Sequence, residues 1–534
     1  MKHVAEDPLS STKRRPGAAF PALPAPAGAT KRTAAAIILI YGTGILPDQP
    51  VNRMKSQPHS YAAGSKAAQA FAVAVLSTFF LIVLPIVFAP GVEAGAGLYI
   101  GASPTTNRAR FEKSDAKSEL GARLFADDRF SSPNGDFRQS CSHCHMTDQD
   151  PEGVRVFTDF LPRSWVPWRS ADPRRDGLRN APTLLDVDQM PRLHLDGEFG
   201  SLEDLMKGTL SGRSLGWLPG EEAQAFNQTY RVIVAGKPGG QQPEDSYCDL
   251  FRTAYGVDPK TLTRDQVVDL VAKALSDFVR GFKSERSTPY DNFMHSNGLD
   301  QSPSEGESPV AYSGRLLKKI GELKSRKKLA LNSKFTQTAL AGLEIFLRCG
   351  QPAHSGSCVV CHVPPYFTDF RFHNMGVSQM EYDKAHEDGG FARLSIPDAA
   401  TAMRPAEQFR QTASAQKPGD TDLGYWNFVR LDSRDRRPGE TADAFLRRMI
   451  ATFKTPTLRN LAYSQPYMHN GMYGSLEDTL AELMTASELA RKGRIRSGDE
   501  QLSEIRITDT DIGSLTAFLA SLNQNLGKTR DADY

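Results

Sequence analysis

Two pentads hold residues whose types and spacing can do chemistry: Cys141-Ser142-His143-Cys144-His145 and Cys358-Val359-Val360-Cys361-His362. In each, two thiols one helical turn apart can form thioethers to the two vinyl groups of one porphyrin. The histidine that follows is placed under the iron as its axial ligand. The spacing therefore predicts two covalently attached haems of the c type. A zinc or redox Cys-x-x-Cys is the competing reading, but zinc needs two further ligands close to each pair. Cys248 and Cys349 are left over. In an oxidising compartment they can pair; otherwise they are two buried thiols.

The elements that must position these motifs are helical. Glu119 to Phe125 starts an amphipathic helix, and the loop from Asp127 to Gln139 delivers the first motif. Thr263 is placed to cap a helix with apolar residues at Val267, Val271, Ala274, Leu275 and Phe278, a helical period that reads as core. The second half restarts at Ala339 to Phe346 and closes with a capped amphipathic helix from Thr508 to Leu522. The fold class is therefore mainly α.

The two halves repeat. Pro182-Thr183-Leu184 follows the first motif and Pro456-Thr457-Leu458 the second. Gly197 and Gly471 each lie 15 residues beyond that proline (197 − 182, 471 − 456). Gly200-Ser201-Leu202-Glu203-Asp204 is then matched by Gly474-Ser475-Leu476-Glu477-Asp478. Each Ser suits a helix cap, with the acids in the first turn. The reading is two tandem cytochrome c-like haem domains, 96–295 and 336–534. Residues 296–335 form a linker, and the basic run Leu316 to Lys334 is the solvated face of a helix.

The 534 residues allow two or three domains, and a net charge of +2 gives no case for nucleic acid. Met54 opens a second start: Lys55 and Lys66 precede the apolar stretch Ala70 to Ala89, and a small-residue site follows near Ala94. This is the pattern of a secretory signal, with an uncleaved membrane anchor as the alternative. Residues 1–95 are therefore set apart from the fold. Export to the periplasm suits covalent haem, which is assembled outside the cytoplasm.

Over about residues 115–525 the chain resembles the bacterial diheme cytochrome c peroxidases and the MauG-type diheme oxidases. The resemblance rests on both pentads, Arg179-Asn180-Ala181-Pro182-Thr183, the stretch Cys361 to Asn374, Pro456 to Asn460, and Pro466-Tyr467-Met468-His469-Asn470-Gly471. It implies that the His145 haem reacts with hydrogen peroxide and the His362 haem holds or relays an electron. It implies a calcium ion on Asn180 and the carbonyls of Ser464 and Pro466, since hard oxygen ligands suit Ca²⁺. It also implies a small periplasmic electron donor, a cytochrome c or a cupredoxin. The oligomeric state is left open, with a homodimer as the candidate.

Departures from the family pattern bear on mechanism. A distal histidine is missing near Leu161, and no His lies between His145 and His194, so the first haem is expected to be five-coordinate without activation. Leu195 stands where the family has its interhaem tryptophan; Trp165, Trp168 and Trp217 lie in that half and are the candidate replacements. The distal glutamate position falls on Leu215, which leaves Glu221 and Glu222 as the candidate catalytic acids. The sixth-ligand position of the second haem falls on Leu483; Met484 is the choice, with Met472 and Tyr473 as the others. His373 is placed near the second haem with no ligand role. The leading function is an exported diheme peroxidase. The alternatives are a MauG-type oxidase of a partner protein or organic substrate, and a diheme electron carrier.

Overall fold

The capping residues set the helix starts. Thr263 and Gln266 close a reciprocal capping box at the start of one helix, and Thr508 does the same with Asp511 at another. Ser201 accepts from the Asp204 amide at 3.1 Å, and Ser475 from that of Asp478 at 3.0 Å. The computed structural model describes residues 115–134, 138–145, 147–150, 153–156, 179–234, 246–284 and 286–524. The signal-like stretch, Leu161, Trp165 and Trp168 lie outside the described residues. Among those described, no helix is long and apolar enough to cross a membrane.

The helices in chain order are α1 (Ala116–Ala126), α2 (Cys141–Cys144), α3 (Leu202–Leu210), α4 (Glu222–Val234), α5 (Tyr247–Tyr255), α6 (Arg264–Val279), α7 (Pro289–Ser296), α8 (Pro309–Ser325), α9 (Gln337–Leu347), α10 (Val377–Ala385), α11 (Gly390–Arg393), α12 (Ala442–Arg448), α13 (Leu476–Arg491) and α14 (Asp509–Ala520). Two short antiparallel pairs accompany them: β1 (Thr147–Asp150) with β2 (Gly153–Val156), and β3 (Phe372–His373) with β4 (Phe453–Lys454).

The apolar periods become cores. Val267, Val271, Ala274, Leu275 and Phe278 of α6 are all buried in a first core with Leu120, Leu124 and Phe125 of α1. A second core joins Leu340, Leu343 and Phe346 of α9 to Leu515, Phe518 and Leu519 of α14. In each half the opening helix packs on the closing helix, and each crossing has a glycine. A Cβ on Gly121 would meet Phe278 Cβ at 2.4 Å, and one on Gly342 would meet the Ser514 carbonyl oxygen at 1.8 Å. No side chain fits there without separating the helices. Gly342→Ala is expected to cost about 3 kcal/mol by overpacking, read as a drop in the thermal or denaturant midpoint. A loss below about 0.5 kcal/mol would show that the crossing yields easily.

The loop after each Pro-Thr-Leu repeats too. Leu193 bridges Phe199 as Tyr467 bridges Tyr473, an offset of 274 residues in both cases (467 − 193, 473 − 199). His194 and Met468, again 274 apart, both take positive φ, as do Gly197 and Gly471.

Packing corrects the expected linker. The second core already includes Tyr290, Phe293 and Met294 of α7, and the first ends at Phe282. Within 296–335, α8 buries Tyr312, Leu316 and Ile320 in the second core. That stretch is structural, because its apolar residues fall on one face of a helix. The basic residues occupy the other face.

One unanticipated piece follows the second motif. From the motif histidine to the proline of Pro-Thr-Leu there are 37 residues in the first half (182 − 145) and 94 in the second (456 − 362). The extra length folds around its own core of Phe391, Phe409, Tyr425, Trp426, Phe445 and Ile450.

Candidate functional site: two cysteine–histidine motifs and the seam between them

Cys141 and Cys144 sit on the single turn α2, which begins at Ser140. Both His143 Nδ1 and the Ser140 hydroxyl fold back onto that turn, at 2.8 Å from each other. Cys141 packs against the first core, and Cys358 and Val360 against the second. Each motif is thus seated on the core of its own half. Burial pushes the Cys141 and Cys358 thiols up to about 12. They are neutral and apolar, which suits sulfurs destined for thioethers rather than thiolate ligands of a metal.

The two histidines differ. The ring of His362 donates through Nδ1 to the Phe367 carbonyl at 3.0 Å. That bond fixes ring and tautomer and leaves Nε2 available to ligate a metal. His145 lies beside Phe125, with ring centroids 6.3 Å apart, and its Nδ1 is buried with no partner among the described residues. Burial, and then the nearby His194, push His145 down to about 4, so it is a neutral imidazole.

His194 therefore lies within electrostatic reach of the first motif. Its Nδ1 is 3.3 Å from Glu198 Oε2, and one ligand atom each of His194, Asp196 and Glu198 lies within 4.8 Å of the others. Glu198 in turn accepts from Arg410 at 3.2 Å, a residue of the extra piece. Glu198 and Arg410 escape sequence reasoning because the pairing spans 212 residues.

Glu221 and Glu222 stand at the start of α4. Glu221 Oε2 accepts the Leu218 amide at 2.8 Å, and Glu222 Oε1 accepts that of Gly220 at 3.1 Å. Leu215 is core. Trp217 is core as well, its indole N–H donated to the Phe130 carbonyl at 3.0 Å. Met484 is half-buried on α13, one residue beyond Leu483, which packs on the second core. Cys248 and Cys349 remain separate thiols.

His373 lies beside Cys361, near the second motif as the sequence implied. Its two nitrogens face Asp499 at 2.7 Å and Asp369 at 2.8 Å. Burial opposes the charge, yet the two carboxylates raise this imidazole to about 12. Both of its ring nitrogens are thus engaged by carboxylates.

Asn180 is the hinge of the seam. Its amide donates to the His469 carbonyl at 2.7 Å, its Nδ2 lies 2.5 Å from the Pro466 carbonyl, and its Oδ1 is buried without a partner among the described residues. Turning the amide over would set two oxygens face to face, an arrangement that a hard cation between them stabilises. Ser464 is half-buried two residues before Pro466, its own amide donated to Leu461 at 3.1 Å. The donor set therefore fits calcium.

Arg179, next to Asn180, ties the halves together. Its Nε and Nη2 reach Asp422 at 2.6 and 2.8 Å, and Nη1 reaches Asp196. Both carboxylates are fully buried. Arg213 to Glu407 and Arg410 to Glu198 are further ties from the extra piece to the first half.

The chain is similar to several known proteins. Residues 115–298 match the family model for di-haem cytochrome c peroxidase. A cytochrome-c peroxidase of Denitromonas iodatirespirans, IdrP2, is 24% identical over 413 residues, spanning 76% of this chain and 81% of that protein. The methylamine utilization protein MauG of Methylophilus methylotrophus is 22% identical over 410 residues, spanning 76% and 82%. Among solved structures, the diheme peroxidase BthA of Burkholderia thailandensis aligns with TM-score 0.46 and 20% identity over 79% of this chain and 88% of that one. Over about three quarters of its length the chain is thus similar to cytochrome c peroxidases and MauG proteins.

Proposed function

We propose that the chain is an exported peroxidase with two covalent haems c. It reduces hydrogen peroxide with electrons from a small periplasmic cytochrome c or cupredoxin. The observation that carries this reading is the pair of motifs, each seated on its own core, in a chain similar to known di-haem peroxidases over three quarters of its length. Bound haem supplies the iron at which peroxide is reduced in one half and a one-electron store in the other.

The chain's residues do the rest. Cys141, Cys144 and His145 hold the peroxide-reactive haem, and Cys358, Cys361 and His362 hold the electron-storing haem. Met484 is the assigned second axial ligand of the latter. Asn180, with the carbonyls of Ser464 and Pro466, holds calcium and fixes the first half against the second.

Proton handling during O–O cleavage is assigned to His194 and Glu198. His194 lies within electrostatic reach of His145 and pairs with Glu198 at 3.3 Å, whereas the carboxylates of Glu221 and Glu222 hold helix-start amides. Glu198→Gln is expected to lower peroxide turnover about a hundredfold, and Glu221→Gln to leave it near wild type. The reverse ranking in a steady-state assay would return the role to the α4 acids.

The deciding experiment uses the full chain purified with its haems. A pyridine haemochrome assay should count two haems per chain. Electron paramagnetic resonance should show one high-spin haem whose signal is lost on stoichiometric peroxide. Reduced cytochrome c then separates peroxidase from MauG-type oxidase, because only the first oxidises it catalytically. Two low-spin signals indifferent to peroxide would reduce the protein to an electron carrier.

A further inference from the structure

We infer that Tyr425, stacked on Phe372 in the seam between the two motifs, passes charge between the two haems. The inference rests on the two-haem reading above. Leu195 stands where the resemblance implies an interhaem tryptophan, and a leucine side chain cannot be oxidised. The structure supplies an aromatic residue from the extra piece.

The rings of Phe372 and Tyr425 stack with centroids 3.9 Å apart and planes 17° off parallel. The loop bearing His194 and Leu195 runs directly into them. A Cβ on Gly197 would lie 2.6 Å from Phe372 Cζ and 2.9 Å from Tyr425 Cδ2, so only a glycine backbone fits against both rings. On one side, His194 of that loop is within electrostatic reach of His145. On the other, Phe372 precedes His373, which lies against Cys361. The stack therefore lies between the loop that bears His194 and the strand that leads into His373 beside Cys361.

Of the two rings only the phenol is readily oxidised, and oxidation requires it to lose a proton. Tyr425 is 2% exposed and donates its hydroxyl to Asp435 Oδ2 at 3.1 Å. Asp435 also accepts from the Ser433 hydroxyl at 2.9 Å. The acceptor is therefore in place. In the forward step Tyr425 gives one electron to the haem oxidised by peroxide and its proton to Asp435. The neutral phenoxyl radical then takes an electron from the reduced second haem and the proton back from Asp435. One electron has crossed the seam, and Tyr425 and Asp435 are unchanged. Trp426 is the neighbouring alternative, but it packs edge-on to Phe409 inside the extra core, and its indole nitrogen is buried without a partner among the described residues.

The test compares wild type, Tyr425→Phe and Asp435→Asn, each purified as the two-haem protein. Samples are frozen milliseconds after one equivalent of hydrogen peroxide is added to protein whose second haem is reduced. Wild type should give an organic radical signal in the electron paramagnetic resonance spectrum. The signal should narrow when the tyrosines are ring-deuterated, and it should be absent in Tyr425→Phe. Oxidation of the second haem should slow at least about tenfold in Tyr425→Phe, and Asp435→Asn should slow it in a way that depends on deuterated solvent. Asp435→Asn keeps both rings, so it reports even where the phenylalanine variant misfolds. Tyr425→Phe with both haems, wild-type peroxide consumption and an unchanged interhaem rate overturns the relay alone. A wild-type chain that lacks two haems or ignores peroxide overturns the parent reading, and the relay with it.

Discussion

Arg179→Ala is expected to destabilise the chain by about 5 kcal/mol, the largest effect of any single side chain in the seam. The residue that remains would leave Asp196 and Asp422, both fully buried, with no guanidinium between them. Removing one partner of a buried ion pair costs roughly 3–5 kcal/mol, because the stranded charge has lost its water. Here one cation serves two anions. Burial opposes the charge on Arg179, yet the two carboxylates raise it far above its ordinary value, so it is charged at every accessible pH. Lys454, the other buried cation facing Asp196, cannot replace it. Burial brings Lys454 down to about 8, and its amine donates to the Arg192 carbonyl at 3.1 Å. The check is chemical denaturation of Arg179→Ala against the triple variant Arg179→Leu, Asp196→Asn, Asp422→Asn. The triple variant removes the stranded charges and should recover most of the loss. A single variant less than about 1 kcal/mol below wild type would mean that the seam is held elsewhere, since that is the worth of a surface pair.

Arg459→Ala is the second large prediction, at about 4 kcal/mol. Arg459 grips Asp291 with two parallel bonds of 2.9 Å, at side-chain exposures of 2% and 1%. Its Nε donates to the Pro365 carbonyl at 2.8 Å, three residues past His362. The substitution therefore strands Asp291 and also releases the loop behind the second motif. The optical and paramagnetic spectra of the second haem should change while those of the first do not. A pH signature accompanies this. Burial raises the Asp291 pKa, but the bonds from Arg459 and Thr288 outweigh it and leave it below the ordinary carboxylate value. A carboxyl group depressed in the folded state contributes stability that is complete above its unfolded value and lost as pH falls through the folded one. Wild type should therefore lose this contribution below about pH 4, and Arg459→Ala should lack it at neutral pH. Equal spectral change at both haems would show general loosening rather than local support.

Both predictions depend on residues whose partners lie far away in sequence, and this separates what could be read early from what could not. The candidate attachment motifs were legible, because Cys-x-x-Cys-His is local: five consecutive residues carry both thiols and the histidine. Helix starts were legible for the same reason. Ser201, Thr263, Ser475 and Thr508 cap through bonds that span three residues. The core stripe of α6 followed from period alone, and the repeat was readable because two copies of Gly-x-x-Gly-Ser-Leu-Glu-Asp confirm each other.

The tertiary structure decided everything that couples the halves. Asp422 meets Arg179 across 243 residues and Arg410 meets Glu198 across 212. Nothing local marks an aspartate or an arginine as half of such a pair. The extra piece carried no pattern because its apolar residues are scattered over short turns rather than one periodic helix, so its core exists only once the chain has closed on itself. The aromatic pair at the seam became visible at the same step. Stacking Phe372 on Tyr425 against Gly197 brings together three segments that no pattern connects. Sequence determined where the two candidate attachment motifs lie, since each is five consecutive residues. Folding decided what lies between them, since that space is bounded by residues brought together from both halves.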